Sequence, residues 1–143
     1  MFNETIKYFK NSDVIICSAA ISDFKPVQAV KNKIKKEKGL ESIKLEPTKD
    51  ILLELGKIKT SQFLVGFALE TDNFIRNAKN KLKSKNLDAI VVNKIDDFNP
   101  ISSDYNQIDF INSDLKITSF EKKLKTDVSG DILNQIIKNV KET

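Results

Sequence analysis

The sequence predicts an α/β fold built on a largely parallel sheet, with a β-hairpin near the carboxyl end. Three short apolar runs carry this prediction, at residues 13–18, 63–68 and 87–93. Apolar runs of this length are typical of parallel strands that are covered on both faces. Segments with helical spacing of apolar residues separate the runs, and such alternation of strands and helices favours an α/β fold.

Length and composition limit the class of protein. The chain of 143 residues is 40% hydrophobic, so it fits one globular domain with a core, and we expect residues 1–143 to form it. No apolar run approaches the roughly 18 residues of a membrane span, and the amino end lacks the pattern of a signal peptide. A lone Cys17 forms no internal disulfide. The sequence therefore predicts a cytoplasmic protein without a membrane partner.

The first half of the chain alternates between helices and strands. Apolar residues recur at helical spacing in two segments and alternate with polar residues in a third. In chain order, the sequence predicts a helix at 2–11, the strand at 13–18, a polar loop that carries Asp23, a strand at 43–46, and a helix that begins at Thr48 or Lys49 and ends at Lys59.

The second half continues this alternation. Thr71 or Asp72 is predicted to cap the next helix, because a side-chain oxygen there accepts a hydrogen bond from the helix's first backbone N–H groups. In chain order, the sequence predicts the strand at 63–68, a helix that ends near Asn86, the strand at 87–93, a polar loop at 94–106, a hairpin formed by 108–111 and 116–120, and an amphipathic helix at 127–141.

Two absences restrict the chemistry. The chain contains no histidine, which excludes an imidazole base, a Ser-His-Asp triad and histidine-ligated zinc, and one cysteine cannot form a thiolate cluster. Neither G-x-G-x-x-G nor a Walker P-loop occurs among the four glycines. Any chemistry must therefore rest on Lys, Asp, Glu, Asn, Ser and backbone groups.

The positive net charge raises the question of a nucleic-acid partner. The charge of +4 arises from 24 basic and 20 acidic residues that are interspersed along the chain. Arg76 is the only arginine, although arginine is the preferred reader of phosphates and guanine edges. We interpret the charge mainly as solvated surface, and the sequence predicts no nucleic-acid partner.

Ligands of parallel sheets gather at the carboxyl ends of the strands, which here are Ser18, Phe67 and Asn93. Phe67 follows Gly66 and is a candidate to stack on a nucleobase; the alternative is a core phenylalanine. Asp23 is a candidate to hold a ribose or a phosphate-bound Mg²⁺; the alternative is a turn residue ahead of a proline.

Two groups of lysines are candidates for binding phosphate. One group lies in a loop beyond the first strand and would act as an anion clamp; the alternative is a solvated basic loop. It consists of Lys31, Lys33, Lys35 and Lys36. In the second group, Lys81 and Lys85 border the apolar stripe of one helix, and the alternative is a pair whose stems cover the core.

Several segments, in this order, resemble motifs of the phosphopantothenate–cysteine ligases. Residues 19–26 resemble A-A-V-A-D-[YF]-x-P, 33–36 resemble K-I-K-K, 45–52 a strand that leads into P-D-I-L, 65–71 V-G-F-A-A-E-T, 78–93 A-x-x-K-x-x-x-K-x-x-D…A-N, and 103–106 the end of F-x-S-D-x-N. Lys49 stands where the family usually has proline. The likeness covers nearly the whole chain and implies a three-layer Rossmann-like domain.

The resemblance implies a reaction of coenzyme A biosynthesis. In the bacterial family, the carboxylate of 4′-phosphopantothenate attacks CTP in the presence of Mg²⁺, and the amine of L-cysteine then attacks the resulting acyl-cytidylate. The resemblance makes Lys33 the catalytic residue. It also implies a CTP-binding set of Cys17, Ser18, Ala19, Asp23, Lys33, Lys49, Asp50, Ile51, Leu52, Phe67, Lys81 and Lys85. Asp23 would contact the metal through the triphosphate.

The chain departs from the family at its amino end. Family members begin with a strand, a glycine-rich turn and an N-x-S-S-G-x-x-G segment, none of which this sequence contains. We therefore expect residues 1–143 to be a fragment that does not turn over alone. The resemblance further implies a homodimer, for which the 106–121 hairpin is the candidate interface, and a flavin-dependent decarboxylase domain in the longer protein.

Two other functions remain open from the sequence. One is a non-catalytic basic α/β module that binds nucleic acid through its lysine loops, and the other is a structural dimerisation fragment without ligand affinity. The choice between CTP and ATP is also open.

Overall fold

The computed structural model describes residues 1–28, 42–70, 73–94 and 102–142. The chain divides into two compact units, of which the larger combines Met1–Ser18 with Ile51–Thr143 and the smaller is Ala19–Asp50. None of the described helices is long and apolar enough to cross a membrane.

The larger unit is built on a five-stranded mixed sheet. Its strands are β1 (Val14–Cys17), β4 (Phe63–Glu70), β5 (Ala89–Lys94), β7 (Ile108–Asn112) and β8 (Ile117–Ser119), in the spatial order β1-β4-β5-β7-β8. The strands β1, β4 and β5 pair in parallel, and β7 and β8 add to them as an antiparallel hairpin. This arrangement confirms the predicted α/β class, the three apolar strands and the hairpin.

Helices cover both faces of this sheet, which gives the three predicted layers. On one face, helices α1 (Phe2–Phe9), α2 (Ile51–Ile58) and α3 (Phe74–Ser84) pack around Leu64, Ile90 and Val92. On the other face, α4 (Lys125–Glu142) packs against the alternate strand residues, including Val65 and Val91. Both faces of β4 and β5 are therefore buried, which explains their continuous apolar sequence.

The remaining strands form two short ladders. In the smaller unit, β2 (Phe24–Pro26) pairs antiparallel with β3 (Leu45–Pro47). In the larger unit, β6 (Tyr105–Asn106) pairs antiparallel with β9 (Lys123–Leu124). The sequence predicted β3, whereas β2 and β6 fall in segments that were predicted to be polar loops. Strands of two or three residues are too short to show an alternating pattern.

The ends of α2 and α3 differ from the predictions. The first of these helices begins at Ile51, so Thr48 and Lys49 precede it. The N-cap of α3 is Asn73, in the left-handed region at φ 47°; Thr71 and Asp72, the predicted caps, lie outside the described residues.

A left-handed residue also ends α3 before the predicted position. Asn86 has φ 53°, and the N–H of Leu87 bonds back to the carbonyl of Leu82 at 2.9 Å. This is the Schellman type of helix end, in which a left-handed asparagine or glycine follows the last helical turn.

Candidate functional site

The carboxyl end of β1 lies beside the start of α2. Cys17 is the register partner of Gly66 in β4, and Ser18 follows directly. Gly66 has no side chain to separate the sheet from α2, and a Cβ built there would lie 2.8 Å from Leu52 Cδ2. The absence of that side chain lets the first turn of α2 pack directly on the sheet. Four of the predicted CTP-binding residues, Cys17, Ser18, Ile51 and Leu52, therefore lie close together.

The carboxyl end of α3, which carries Lys81 and Lys85, meets α2. A Cβ at Gly56 would lie 1.9 Å from the carbonyl oxygen of Lys85, so the carboxyl end of α3 contacts α2 at that point. Both helices run against the parallel strands, and one turn of four residues advances about 6 Å. Lys81 is one turn before Lys85 in α3, as Leu52 is one turn before Gly56 in α2. Lys81 and Lys85 are half-buried, and both make a polar, ionic or ring contact.

Phe67 does not join these residues. Its side chain packs in the cluster that contains Phe120 and the buried face of α4, whereas Leu52 packs in the cluster on the opposite face. Successive residues of a strand point to opposite sides, and Gly66 and Phe67 follow this rule. The structure therefore places the Phe67 ring on the other side of the sheet from Lys81.

The smaller unit brings Asp23 close to Thr48. The N–H of Thr48 donates to the carbonyl of Asp23 at 2.8 Å, and its hydroxyl donates to the carbonyl of Ser22 at 2.6 Å. These bonds hold the start of β2 beside the end of β3, one residue ahead of Lys49. Within this unit, Asp23, Lys49 and Asp50 therefore lie near one another, and Ala19 is exposed.

Lys33, the predicted catalytic residue, lies outside the described residues, as do Lys31, Lys35 and Lys36.

The structure also contains a shallow surface groove of about 580 Å³ along α3, which the sequence did not suggest. Its apolar floor includes Phe74 and Leu115, and its cations are Arg76, Lys79 and Lys83. The spacing of these three cations in the sequence, three and four residues, predicts that they share one face of a helix. No motif distinguished them from other charged residues on the surface.

Asn93 carries a buried acceptor at the end of β5. Its Oδ1 is inaccessible to solvent, and no donor among the described residues reaches it. An unsatisfied buried acceptor is uncommon. Sequence reasoning identified Asn93 as a strand-end residue but assigned it no role.

Burial raises the pKa of the Cys17 thiol above its usual value. The side chain packs with Leu52 against the core on the α1–α3 face, where a thiolate would lose its hydration. The thiol is therefore neutral at physiological pH. Its sulfur is not a reactive nucleophile, and the predicted contribution of Cys17 to a ligand rests on its backbone.

The described residues contain no group of three or more Asp, Glu, Cys or His side chains that could hold a metal ion. Asp23 is the one predicted metal contact, and it lies in the smaller unit.

Comparison with known proteins identifies the family. The model of the DNA/pantothenate metabolism flavoprotein C-terminal domain matches residues 1–140. A cysteine/cysteine sulfinic acid decarboxylase from an unknown prokaryotic organism is 43% identical over 139 residues, which cover 96% of this chain and 39% of that protein. The coenzyme A biosynthesis bifunctional protein CoaBC of Bacillus subtilis (strain 168) is 36% identical over 144 residues, which cover all of this chain and 36% of the relative.

A solved structure shares the fold. The crystal structure of the C-terminal domain of coenzyme A biosynthesis bifunctional protein CoaBC aligns with a TM-score of 0.79 and 31% identity, over 99% of this chain and 62% of that one. The chain thus spans less than two fifths of the length of the two curated relatives. The resemblance inferred from the ordered motifs is confirmed, and the chain belongs to the family of the DNA/pantothenate metabolism flavoprotein C-terminal domain.

Proposed function

We propose that the chain contributes to the CTP-dependent ligation of L-cysteine to 4′-phosphopantothenate in coenzyme A biosynthesis. Family membership supports a role in that pathway, since the Bacillus subtilis relative is named a coenzyme A biosynthesis protein. The observation that carries the proposal is the position of the first turn of α2 at the carboxyl end of β1, where Leu52 approaches Gly66, the register partner of Cys17. The start of a helix suits a phosphate, because its first backbone N–H groups point outward and the helix dipole favours negative charge. Lys81 is the proposed ammonium group.

Each group would act on charge that develops during the reaction. When the substrate carboxylate attacks the α-phosphorus of CTP, pyrophosphate leaves and an acyl-cytidylate forms. The N–H groups of Ile51 and Leu52 and the ammonium of Lys81 would stabilise negative charge on phosphate oxygens. The cysteine amine then attacks the acyl carbonyl and CMP leaves. Lys33, carried over from the K-I-K-K motif, would bind the triphosphate and assist acyl transfer.

Positioning supplies most of this catalysis, which explains how a chain without histidine could carry it out. Magnesium would enter with the nucleotide and neutralise phosphate charge, and Asp23 is its candidate protein contact. Because the Phe67 ring lies on the α4 face, we propose that this residue supports the site through the backbone of β4 rather than by stacking on a base.

The remaining partners are proposals of the same kind. We propose that the active protein is a homodimer joined through the 106–121 hairpin. A decarboxylase domain in a longer protein is in accord with the name "bifunctional" that the Bacillus subtilis relative carries.

A binding measurement tests the proposal without requiring turnover. Differential scanning fluorimetry with Mg²⁺ and CTP should raise the melting temperature, and Mg²⁺ with ATP in parallel tests the choice of base. The Lys33→Ala variant should lose the shift, and Lys83→Ala, an exposed lysine of α3, should keep it. A shift with oligonucleotides alone, steeply dependent on salt, would instead support the nucleic-acid function.

A further inference from the structure

The groove along α3 places a row of cations beside apolar surface. Arg76, Lys79 and Lys83 line it, and helical geometry puts their side chains within about 60° of one another around the helix axis. We call these three residues the α3 cation row. Phe74 and Leu115 line the same groove and are half-buried, so each leaves part of its side chain uncovered. The groove therefore offers positive charge and apolar surface to the same ligand.

The stability of α3 does not explain the cation row. The helix contains four cations and no acidic residue, so no ion pair within it offsets the repulsion along the row. Lys83, in the last turn, is favoured by the helix dipole, whereas Arg76, in the first turn, is opposed by it. Among the described residues, none of the three cations forms an ion pair. An external anion would relieve this repulsion.

Leu115 enters the groove from the hairpin turn with a strained backbone. Its φ of 65° lies in the left-handed region, which costs a residue with a side chain of this size about 1–2 kcal/mol. The turn is closed by the N–H of Leu115, which donates to the carbonyl of Asn112 at 2.9 Å, and by the N–H of Lys116, which donates to Asn112 Oδ1 at 3.0 Å. Neither bond needs a leucine side chain. The side chain instead packs on the α1–α3 core cluster and forms part of the groove floor.

The shape of the groove suits a peptide helix. A small-molecule pocket encloses most of its ligand, whereas this groove is shallow and follows a helix of 11 residues, about 16 Å long. An amphipathic helix fills such a groove with apolar residues three and four positions apart. Acidic residues at the same spacing on its next flank would face the cation row. A nucleic-acid backbone would meet the cations but would cover little of the apolar floor.

We propose that the α3 groove binds an acidic amphipathic helix of a partner protein. Carboxylates of that helix pair with the cation row, and its apolar residues cover Phe74 and Leu115. Lys81 lies about 160° around α3 from Lys79, on the opposite flank, so the groove is separate from the candidate CTP site. The inference goes beyond the ligase proposal, and a failure to bind CTP would leave it intact.

A designed peptide tests the groove by fluorescence anisotropy. The probe is a labelled helix of about five turns with leucines along one flank and glutamates along the next. A second probe has the same composition in scrambled order, and a third is a single-stranded oligonucleotide of equal charge. The amphipathic probe should bind at least about tenfold more tightly than either of the others. Equal binding of the two peptides, or tighter binding of the oligonucleotide, would overturn the proposal.

Matched variants test the two halves of the groove. Lys79→Glu should weaken binding of the amphipathic probe at least about tenfold, because it places a negative charge opposite the glutamates. Lys138→Glu, at an exposed lysine of α4, changes the net charge equally and should alter affinity less than about twofold. Leu115→Asn, which tolerates the left-handed conformation, should weaken binding about fivefold through lost apolar contact. Equal affinities of the Lys79 and Lys138 variants would exclude the cation row.

Amide chemical shifts locate the probe on the unchanged chain, so this test does not depend on how the variants fold. On addition of the amphipathic peptide, the largest shifts should fall on the cation row and on Leu115. The amide of Cys17, beside the candidate CTP site, should not move. Largest shifts outside the groove, or no shifts at all, would overturn the proposal.

Discussion

Lys59 and Asp88 form a largely buried ion pair that joins the end of α2 to the start of β5. The ammonium of Lys59 donates to both carboxylate oxygens of Asp88 at 2.8 Å, and the side chains are 11% and 26% exposed. Asp88 Oδ2 also accepts the N–H of Leu64 at 2.7 Å. One carboxylate thus joins α2, β4 and β5 at the amino ends of these strands, whereas the candidate site lies at the carboxyl end of β1.

Asp88→Ala should therefore destabilise the fold strongly. The change leaves the Lys59 ammonium and the Leu64 N–H without their acceptor, and loss of one partner of such a pair costs about 2–4 kcal/mol. Urea unfolding followed by circular dichroism measures this loss. Asp114→Ala, at an exposed residue of the hairpin turn, is the control and should change stability little. An Asp88 variant as stable as that control would contradict the role of the pair.

Three glycines should respond differently to alanine. A Cβ at Gly56 would meet the backbone carbonyl of Lys85 at 1.9 Å, which no side-chain movement relieves, so we expect a loss of about 2–3 kcal/mol. At Gly66 it would meet the ends of Leu52 and Leu87, which can shift, so we expect a loss of about 1 kcal/mol. Gly130 lies within α4 with nothing near the added atom, so alanine should stabilise by about 0.5–1 kcal/mol. Thermal melts of the three variants test this order.

The thiol of Cys17 should react slowly with thiol reagents. Its ionisation at high pH should lower the stability of the folded chain. Because burial raises its pKa in the folded chain, the folded state holds this proton more tightly than the unfolded state does. This stabilisation is complete below the unfolded pKa, about 8.5, and is lost as pH rises toward the folded value. Reaction with a thiol reagent at pH 8 should be at least tenfold slower in buffer than in urea. Cys17→Ala should weaken the decline of the melting temperature above pH 8.5.

Sequence patterns predicted the layered fold because both faces of β4 and β5 are buried, and strands of this kind appear in the sequence as continuous apolar runs. They also predicted the hairpin and α4. The strands β2 and β6 were not predicted. They consist of three and two residues, and backbone pairing rather than side-chain alternation defines them. The beginning of α3 was misplaced because Asn73 caps it through backbone conformation, with no side-chain hydrogen bond.

The candidate site was predicted less completely than the fold. Motif order identified Cys17 and Leu52 as members of one site, and both pack against the same core cluster. However, a motif does not show which face of the sheet a strand residue points to. The motifs therefore grouped Phe67 with these residues, although its ring faces α4. The position of Lys33 lies outside the described residues and stays a prediction.

The proposed dimer should depend on Ile117. This residue lies in β8, at the edge of the described sheet opposite β1, and is 38% exposed. In a two-fold interface each substitution enters twice, so Ile117→Lys would bring two positive charges together and weaken association at least tenfold. Sedimentation equilibrium measures the dimer dissociation constant. Leu124→Lys, at a residue 42% exposed outside the hairpin, is the control. Equal dissociation constants for the two variants would place the interface elsewhere.

Substitution of Lys81 and of Lys83 distinguishes CTP binding at the candidate site from attraction of CTP to general surface charge. Both lysines lie in the last turns of α3, but Lys81 is half-buried, whereas Lys83 is exposed and lines the groove along α3. If Lys81 binds a phosphate oxygen of CTP, Lys81→Ala removes a charge-assisted hydrogen bond and should weaken binding roughly tenfold. Lys83→Ala lowers the net charge by the same amount and should change affinity less than about twofold, because an exposed charge at a distance is screened by salt. Isothermal titration with CTP and Mg²⁺ measures both constants. Equal losses in the two variants would show that CTP responds to overall charge, and the site beside α2 would then have to be abandoned.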